Sequence, residues 1–190
     1  DAQESRGLGD VYKRQVKAIG ETGLDFYRNF STEDQQKKSF EMHIETSIEL
    51  QKPLFLHVRN AHSTFMEMLK PFKEKLPKTV VHCFTGTEEE LMDYIEMDFF
   101  IGITGWICDE RRGTHLKDLI NLIPMDKIMI ETDAPYLIPR VSQLKNSQRN
   151  EPKFLPHVAK EVMQNSKETK ESLISSIYMN SLRFFDLDRD

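Results

Sequence analysis

Four residues of metal-ligand type stand at or just beyond the ends of short apolar runs. Glu21 closes the run in "AIGETGLDFYRNF", His57 the one in "LFLHVR", and His82 the one in "VVHCFTG"; Asp133 follows the run in "IMIETDAPY". A carboxylate that ends a buried-type strand is costly unless it is paired or bound to a metal. Two imidazoles and two carboxylates gathered at one place would suit Zn, Mn or Mg. Taken singly, each residue has a plainer reading: a hydrogen-bonded loop histidine, a helix-capping Asp, a Glu paired with an arginine. The same placement recurring on four runs favours a shared site. His43, His62, His115 and His157 do not share it, falling within or at the start of helical segments, and read as surface or packing residues.

The elements that must carry these side chains alternate. Val16–Gly20, Pro53–His57, Thr79–His82, Phe99–Ile103 and Lys127–Glu131 read as strands. Between the first two, Ser31 and Asp34 have capping-box spacing, and Phe40, Ile44 and Ile48 recur at i, i+4 as a buried helical stripe. Further helical patterns are "NAHSTFMEMLKPF", "TEEELMDYIEM" with acids in its first turn, "GTHLKDLINLIP", and most of the C-terminal third. Strands alternating with helices predict a parallel sheet, doubly wound or closed into a barrel. Such sheets carry their sites at the C-terminal edge. No repeat or flexible linker interrupts the pattern, so residues 16–190 are expected to form one domain.

Composition bounds the partners. The 190 residues are 38% hydrophobic, 30% charged and 9% aromatic, an ordinary globular balance. The apolar runs fall short of the roughly 20 residues of a membrane helix, so no membrane partner is expected. Two cysteines, Cys83 and Cys108, are too few for a disulfide framework and point to a reducing, cytoplasmic setting. With 26 basic against 31 acidic residues the net charge is −5. A phosphate-bearing substrate would therefore need local arginines or metal ions.

"AIGETGLDF", "FLHVRNA", "VVHCFTGT", "IGITGWICDERRG" and "IETDAPYLIPR", followed by "RNEP", together resemble the TatD family of metal-dependent deoxyribonucleases, in order from about Val16 onward. The resemblance implies a TIM (β/α)8 barrel of the amidohydrolase type. It implies phosphodiester hydrolysis and, as in bacterial members, 3′→5′ exonuclease action on single-stranded DNA. It further implies two divalent ions, with Glu21 bridging them, His57 and His82 holding one and Asp133 the other. The family's first strand bears a His-x-His pair that this sequence lacks. About five of eight strands are then expected, the fourth to the eighth, with one metal at most and impaired activity for the chain alone. Residues 1–15, without periodicity, read as a leader foreign to the family, a cloning, gene-model or assembly artefact, with a disordered natural N-terminus as the alternative.

For the intact site, two cations can clamp a phosphodiester oxygen and acidify a bound water, with Asp133 as general base. Arg59 shares the side of His57 if the strand continues. Arg111, Arg112, Arg140 and Arg149 lie in expected loops, where guanidinium forks suit phosphate oxygens; local ion pairs are the other reading of "DERR". Trp106 would stack on a base or pack beneath its loop. Cys83 reads as a small core residue, Glu131 as a partner behind the ligands and Asp25 as a turn carboxylate. Single-stranded DNA is the expected partner and a monomer the expected state. Two alternatives stay open: another metal-dependent hydrolase on the same scaffold, acting on a small ester, an amide or an aminoacyl-tRNA, and a non-catalytic fragment.

Overall fold

The computed structural model describes residues 15–187, so the expected foreign leader falls almost wholly outside the described residues. Two compact units make up those residues, 15–79 with 184–187 and 80–183.

In the first unit, strand β1 (Ile19–Asp25) pairs parallel with β2 (Leu54–Arg59), from Ile19 opposite Leu54 to Asp25 opposite Arg59. The register shifts between Ile19 and Thr22. The first strand therefore lies later than the apolar run Val16–Gly20 suggests, and Glu21 sits inside it rather than at its end. The physical reason is backbone pairing: the Ile19 N–H donates to the Pro53 carbonyl and the Phe26 N–H to the Arg59 carbonyl, so the polar stretch between them is held extended. Gly23 permits this approach. Its φ is +146°, and a Cβ there would lie 1.8 Å from the His57 carbonyl oxygen, a conformation and a contact that only glycine accepts.

Helix α1 (Glu33–Leu50) opens with a capping box one residue later than expected, on Thr32 and Gln35 instead of Ser31 and Asp34. The Gln35 N–H donates to the Thr32 hydroxyl, and the Thr32 N–H to the Gln35 side-chain oxygen. The longer side chain of Gln reaches back to the cap where Asp would fall short. Phe40 and Ile44 are buried as expected, whereas Ile48 is half-buried and Ser47 takes the interior place. The Ser47 hydroxyl is satisfied by donating to the Lys52 carbonyl at 2.8 Å. Phe40 stacks on Phe65 of helix α2 (His62–Leu69), centroids 5.2 Å apart. Burying each such ring stabilises the unit by about 1.5–3 kcal/mol.

The second unit contains most of β3 (Thr79–Val81), which pairs parallel with β4 (Phe100–Ile103), itself parallel to β5 (Ile128–Ile130). These short strands are buried almost throughout, which is why they read as continuous apolar runs. Helix α3 (Glu88–Glu96) carries a second capping box, Thr87 with Glu90. Helices α4 (Thr114–Leu119), α5 (Leu155–Asn165) and α6 (Lys170–Phe185) complete the α/β alternation. No helix among the described residues is long and apolar enough to cross a membrane.

Asn180 of α6 is fully buried and donates to the carbonyls of Met125 and Ile128, fastening the helix to the start of β5. Leu in its place deletes both bonds within an apolar setting. Asn180→Leu should lower unfolding stability by about 2–3 kcal/mol, while exposed Asn146→Ala stays within about 0.5 kcal/mol. Urea unfolding followed by circular dichroism measures both.

Candidate metal centre

Two side-chain constellations are built on the strands, one in each unit. In the first, His57 occupies the middle of β2 because Gly23, opposite it in β1, leaves its backbone room. The imidazole lies between two carboxylates: its Nδ1 is 3.0 Å from Glu21 Oε1 and its Nε2 is 3.2 Å from Asp25 Oδ2. Asp25 is also the turn carboxylate expected of it, accepting the N–H groups of Tyr27 and Arg28. Burial raises the Asp25 carboxyl, but the Arg28 N–H, the His57 ring and the Arg28 guanidinium outweigh this and hold it below the ordinary carboxylate range. An ionised Asp25 fixes a proton on His57 Nε2. In a neutral ring the Nδ1 lone pair then faces an oxygen of Glu21, two acceptors across 3.0 Å. Either a second ring proton or a cation resolves that opposition, and histidine ligands are commonly set by a carboxylate on the far nitrogen in this way.

An open cleft of about 320 Å³ borders Glu21, Asp25 and His57. His43 lines it too, although its Nδ1 is engaged by the Ser39 carbonyl at 2.7 Å. β2 runs on through Arg59, whose guanidinium lies 3.9 Å from the centroid of the Tyr27 ring.

In the second unit, His82 follows β3 and is buried, its Nδ1 3.6 Å from Glu131 Oε1. The same oxygen accepts the Cys83 N–H. Gly102 makes this possible, since a Cβ there would meet Glu131 Oε1 at 2.6 Å. Glu131 thus lies beside His82, although β5 ends at Ile130, so strand alternation does not set its direction. Cys83 departs from expectation. The strand ends at Val81 and Cys83 turns to φ +50°, so strand alternation does not set its direction; it is half-buried, with Sγ 3.4 Å from the Thr104 hydroxyl.

Asp133 lies beyond β5 at φ +57° and is half-buried. Its turn is clamped by Asn150, whose side-chain amide donates to the carbonyls of Thr132, Tyr136 and Leu137. Glu21 and His57, both in the first unit, set one carboxylate oxygen beside one ring nitrogen, a pair that could hold a metal ion. His82 and Asp133 belong to the second unit.

The loop after β4 holds Arg111 and Arg112, and the segment after β5 holds Arg140 and Arg149. Asp109, itself buried, accepts the Nε and Nη2 hydrogens of Arg111 at 3.1 and 2.9 Å, and Arg140 Nε approaches it at 3.9 Å. Arg112 lies over the half-buried ring of Trp106, 5.7 Å from its centroid. Arg149 is exposed. Asp25, Asn150 and Asp109 are the residues that sequence reasoning undervalued. Only "RNEP" and the D-x-R spacing in "CDERR" hint at the last two.

Parallel strands, each followed by helix, with a histidine–carboxylate group able to take a divalent ion, define the class of α/β metal-site proteins. The family model for TatD related DNase matches residues 3–186, and the chain belongs to that family. It is 47% identical over 174 residues to the 3′-5′ ssDNA/RNA exonuclease TatD of Citrobacter rodentium, covering 91% of this chain and 66% of that protein. It is 49% identical to the protein of the same name in Musicola paradisiaca, over the same shares. The chain thus spans about two thirds of the length of these relatives. The crystal structure of the TatD homologue YjjV from Escherichia coli superposes with a TM-score of 0.82 at 23% identity, over 93% of this chain and 69% of that one. A TatD-family hydrolase from Entamoeba histolytica matches with a TM-score of 0.80 at 26% identity, over 97% and 68%. The expected fold and family are thereby established.

Arg111 hydrogen bonds, opposed by burial, hold the Asp109 carboxyl down to about 2. Because this lies below the ordinary value of 3.8, the pairing stabilises the fold fully above that value and is lost as pH falls through about 2. Thermal unfolding between pH 5 and 2 should show a steeper loss for the natural chain than for Asp109→Asn.

Proposed function

We propose that this protein is a metal-dependent phosphodiesterase that removes nucleotides from the 3′ end of single-stranded DNA. The observation that carries this reading is His57 held between Asp25 and Glu21, with Nδ1 facing a carboxylate oxygen. That donor pair fits a divalent cation; the family resemblance adds His82, which lies beside Glu131 in its own unit, as the third ligand of the proposed set. Membership of the TatD family and the names of its relatives support the substrate class.

In this reading Glu21, His57 and His82 are the residues that would hold one cation, and Asp133 and Glu21 those that would hold a second. When bound, the metal supplies Lewis-acid stabilisation of the phosphodiester oxygen and a nucleophile active at neutral pH. The chain's own side chains do the rest. The Asp133 carboxylate takes the proton of the attacking water, its position set by the Asn150 clamp. Arg59, Arg111, Arg112, Arg140 and Arg149 neutralise the phosphates of a substrate that a chain of net charge −5 would otherwise repel. Trp106 offers a face for base stacking, with Arg112 alongside. The working state is a cytoplasmic monomer on single-stranded DNA.

Imidazole binds a cation only when neutral. Calorimetry of this chain with Mn or Zn should show one divalent ion bound, with affinity falling as acid protonates the ring nitrogens. His57→Ala should abolish that binding, and heat unchanged by the substitution counts against the ligand set. Activity is read in a chimera whose remaining third comes from the Citrobacter relative. There, Asp133→Asn should keep the fold and cut 3′→5′ hydrolysis of 5′-labelled single-stranded DNA by about a thousandfold or more. Near-normal turnover would remove Asp133 from its assigned role.

A further inference from the structure

The arginines proposed to meet the substrate differ in how they are held. Arg111 and Arg140 arise from separate loops, after β4 and after β5, yet both approach one carboxylate, that of Asp109. The Asp109 side chain is only 8% exposed, while those of Arg111 and Arg140 are 62% and 56% exposed. The anchor is therefore inside and the charged ends are outside.

The backbone enforces this. The Asp109 N–H donates to the Trp106 carbonyl, and its own carbonyl accepts the Arg112 and Gly113 N–H groups at 3.2 and 2.7 Å, closing the 105–113 loop on itself. Gly113 packs so tightly that a Cβ would lie 1.8 Å from the Trp106 carbonyl oxygen. At the other end, a Cβ on Gly105 would meet the Leu137 carbonyl oxygen at 2.3 Å. That close seating brings the segment before Arg140 against the loop.

A guanidinium has five N–H donors in a rigid fork. Arg111 gives two of them, on Nε and Nη2, to Asp109, which leaves three on the edge away from the carboxylate. We propose that Asp109 is a positioning residue that holds Arg111 and Arg140 as a preformed two-arginine clamp for one phosphate of the single-stranded nucleic-acid backbone. Holding the forks in advance removes much of the side-chain ordering that binding otherwise costs. The inference rests on the function proposed above and names the phosphate-contacting part of its site.

The sign of the effect is diagnostic. Deleting a negative charge beside a nucleic-acid site should by itself tighten binding; deleting a positioning residue should weaken it. Binding of a 5′-fluorescein single-stranded DNA oligonucleotide to this chain, by anisotropy in EDTA, reads the step without hydrolysis. Asp109→Asn should raise Kd about fivefold to tenfold and lower the salt slope by about one. Arg111→Gln should do the same, and adding Asp109→Asn to the Arg111→Gln/Arg140→Gln variant should cost nothing further, because Asp109 acts through those two arginines. Circular dichroism melts confirm folding. If Asp109→Asn does not fold, Arg111→Gln and Arg140→Gln carry the test, and wild-type affinity in both overturns the proposal. Equal or tighter binding by folded Asp109→Asn, or a further loss when Asp109→Asn is added to the Arg111→Gln/Arg140→Gln variant, overturns it while leaving the proposed function standing. A chimera that binds the oligonucleotide but does not hydrolyse it overturns the function and leaves the clamp. Natural chain that binds no oligonucleotide at low salt overturns both.

Discussion

The His57 imidazole between Glu21 and Asp25 is the contact around which the first unit is arranged. For both carboxylates to reach one ring, β1 must lie against β2 in a single register and must stay extended through a polar stretch. Gly23 makes this approach sterically possible, and the two flanking backbone hydrogen bonds keep the strand in place. A shift of one residue would turn the ring to the other face of the strand, leaving Glu21 and Asp25 without it. Fold and candidate chemistry are thus the same constraint seen at two scales.

The second unit uses a related device. Gly102 provides the space in which Glu131 lies against His82, much as Gly23 allows His57 its place. In both units a histidine lies beside a carboxylate on a neighbouring strand or just beyond one, and a glycine opposite provides the room. An oriented ring presents one chosen nitrogen. The cost of a half-buried carboxylate is offset by that hydrogen bond and by nearby N–H donors, as the depressed Asp25 carboxyl shows. The same economy of placement recurs at Asp109, where a buried anion orders exposed cations.

Local chemistry of the chain determined a good deal by itself. Ligand-type residues following buried apolar runs, alternation of strand and helix, and the quoted motifs were enough for the parallel α/β class and the TatD family, because these depend on residue type and spacing along the chain. Strand existence was legible for the same reason in all five cases. The capping box of α1 was legible in kind and misplaced by one residue, since side-chain reach, not spacing alone, decides between Asp34 and Gln35.

Tertiary structure decided the rest, and always through contacts distant in sequence. Nothing local says that Asp25 meets the ring of His57, that Glu131 receives the Cys83 N–H, or that Arg140 shares a carboxylate with Arg111. The extent of β1 was hidden because "GETGLD" has no apolar period; pairing with β2, not its own composition, makes it a strand. Cys83 escaped the alternation rule because its strand ends two residues before it. Residue types along the chain determined which groups were available for chemistry. Register, and the places where a missing Cβ lets backbone or carboxylate come close, decided which of them touch.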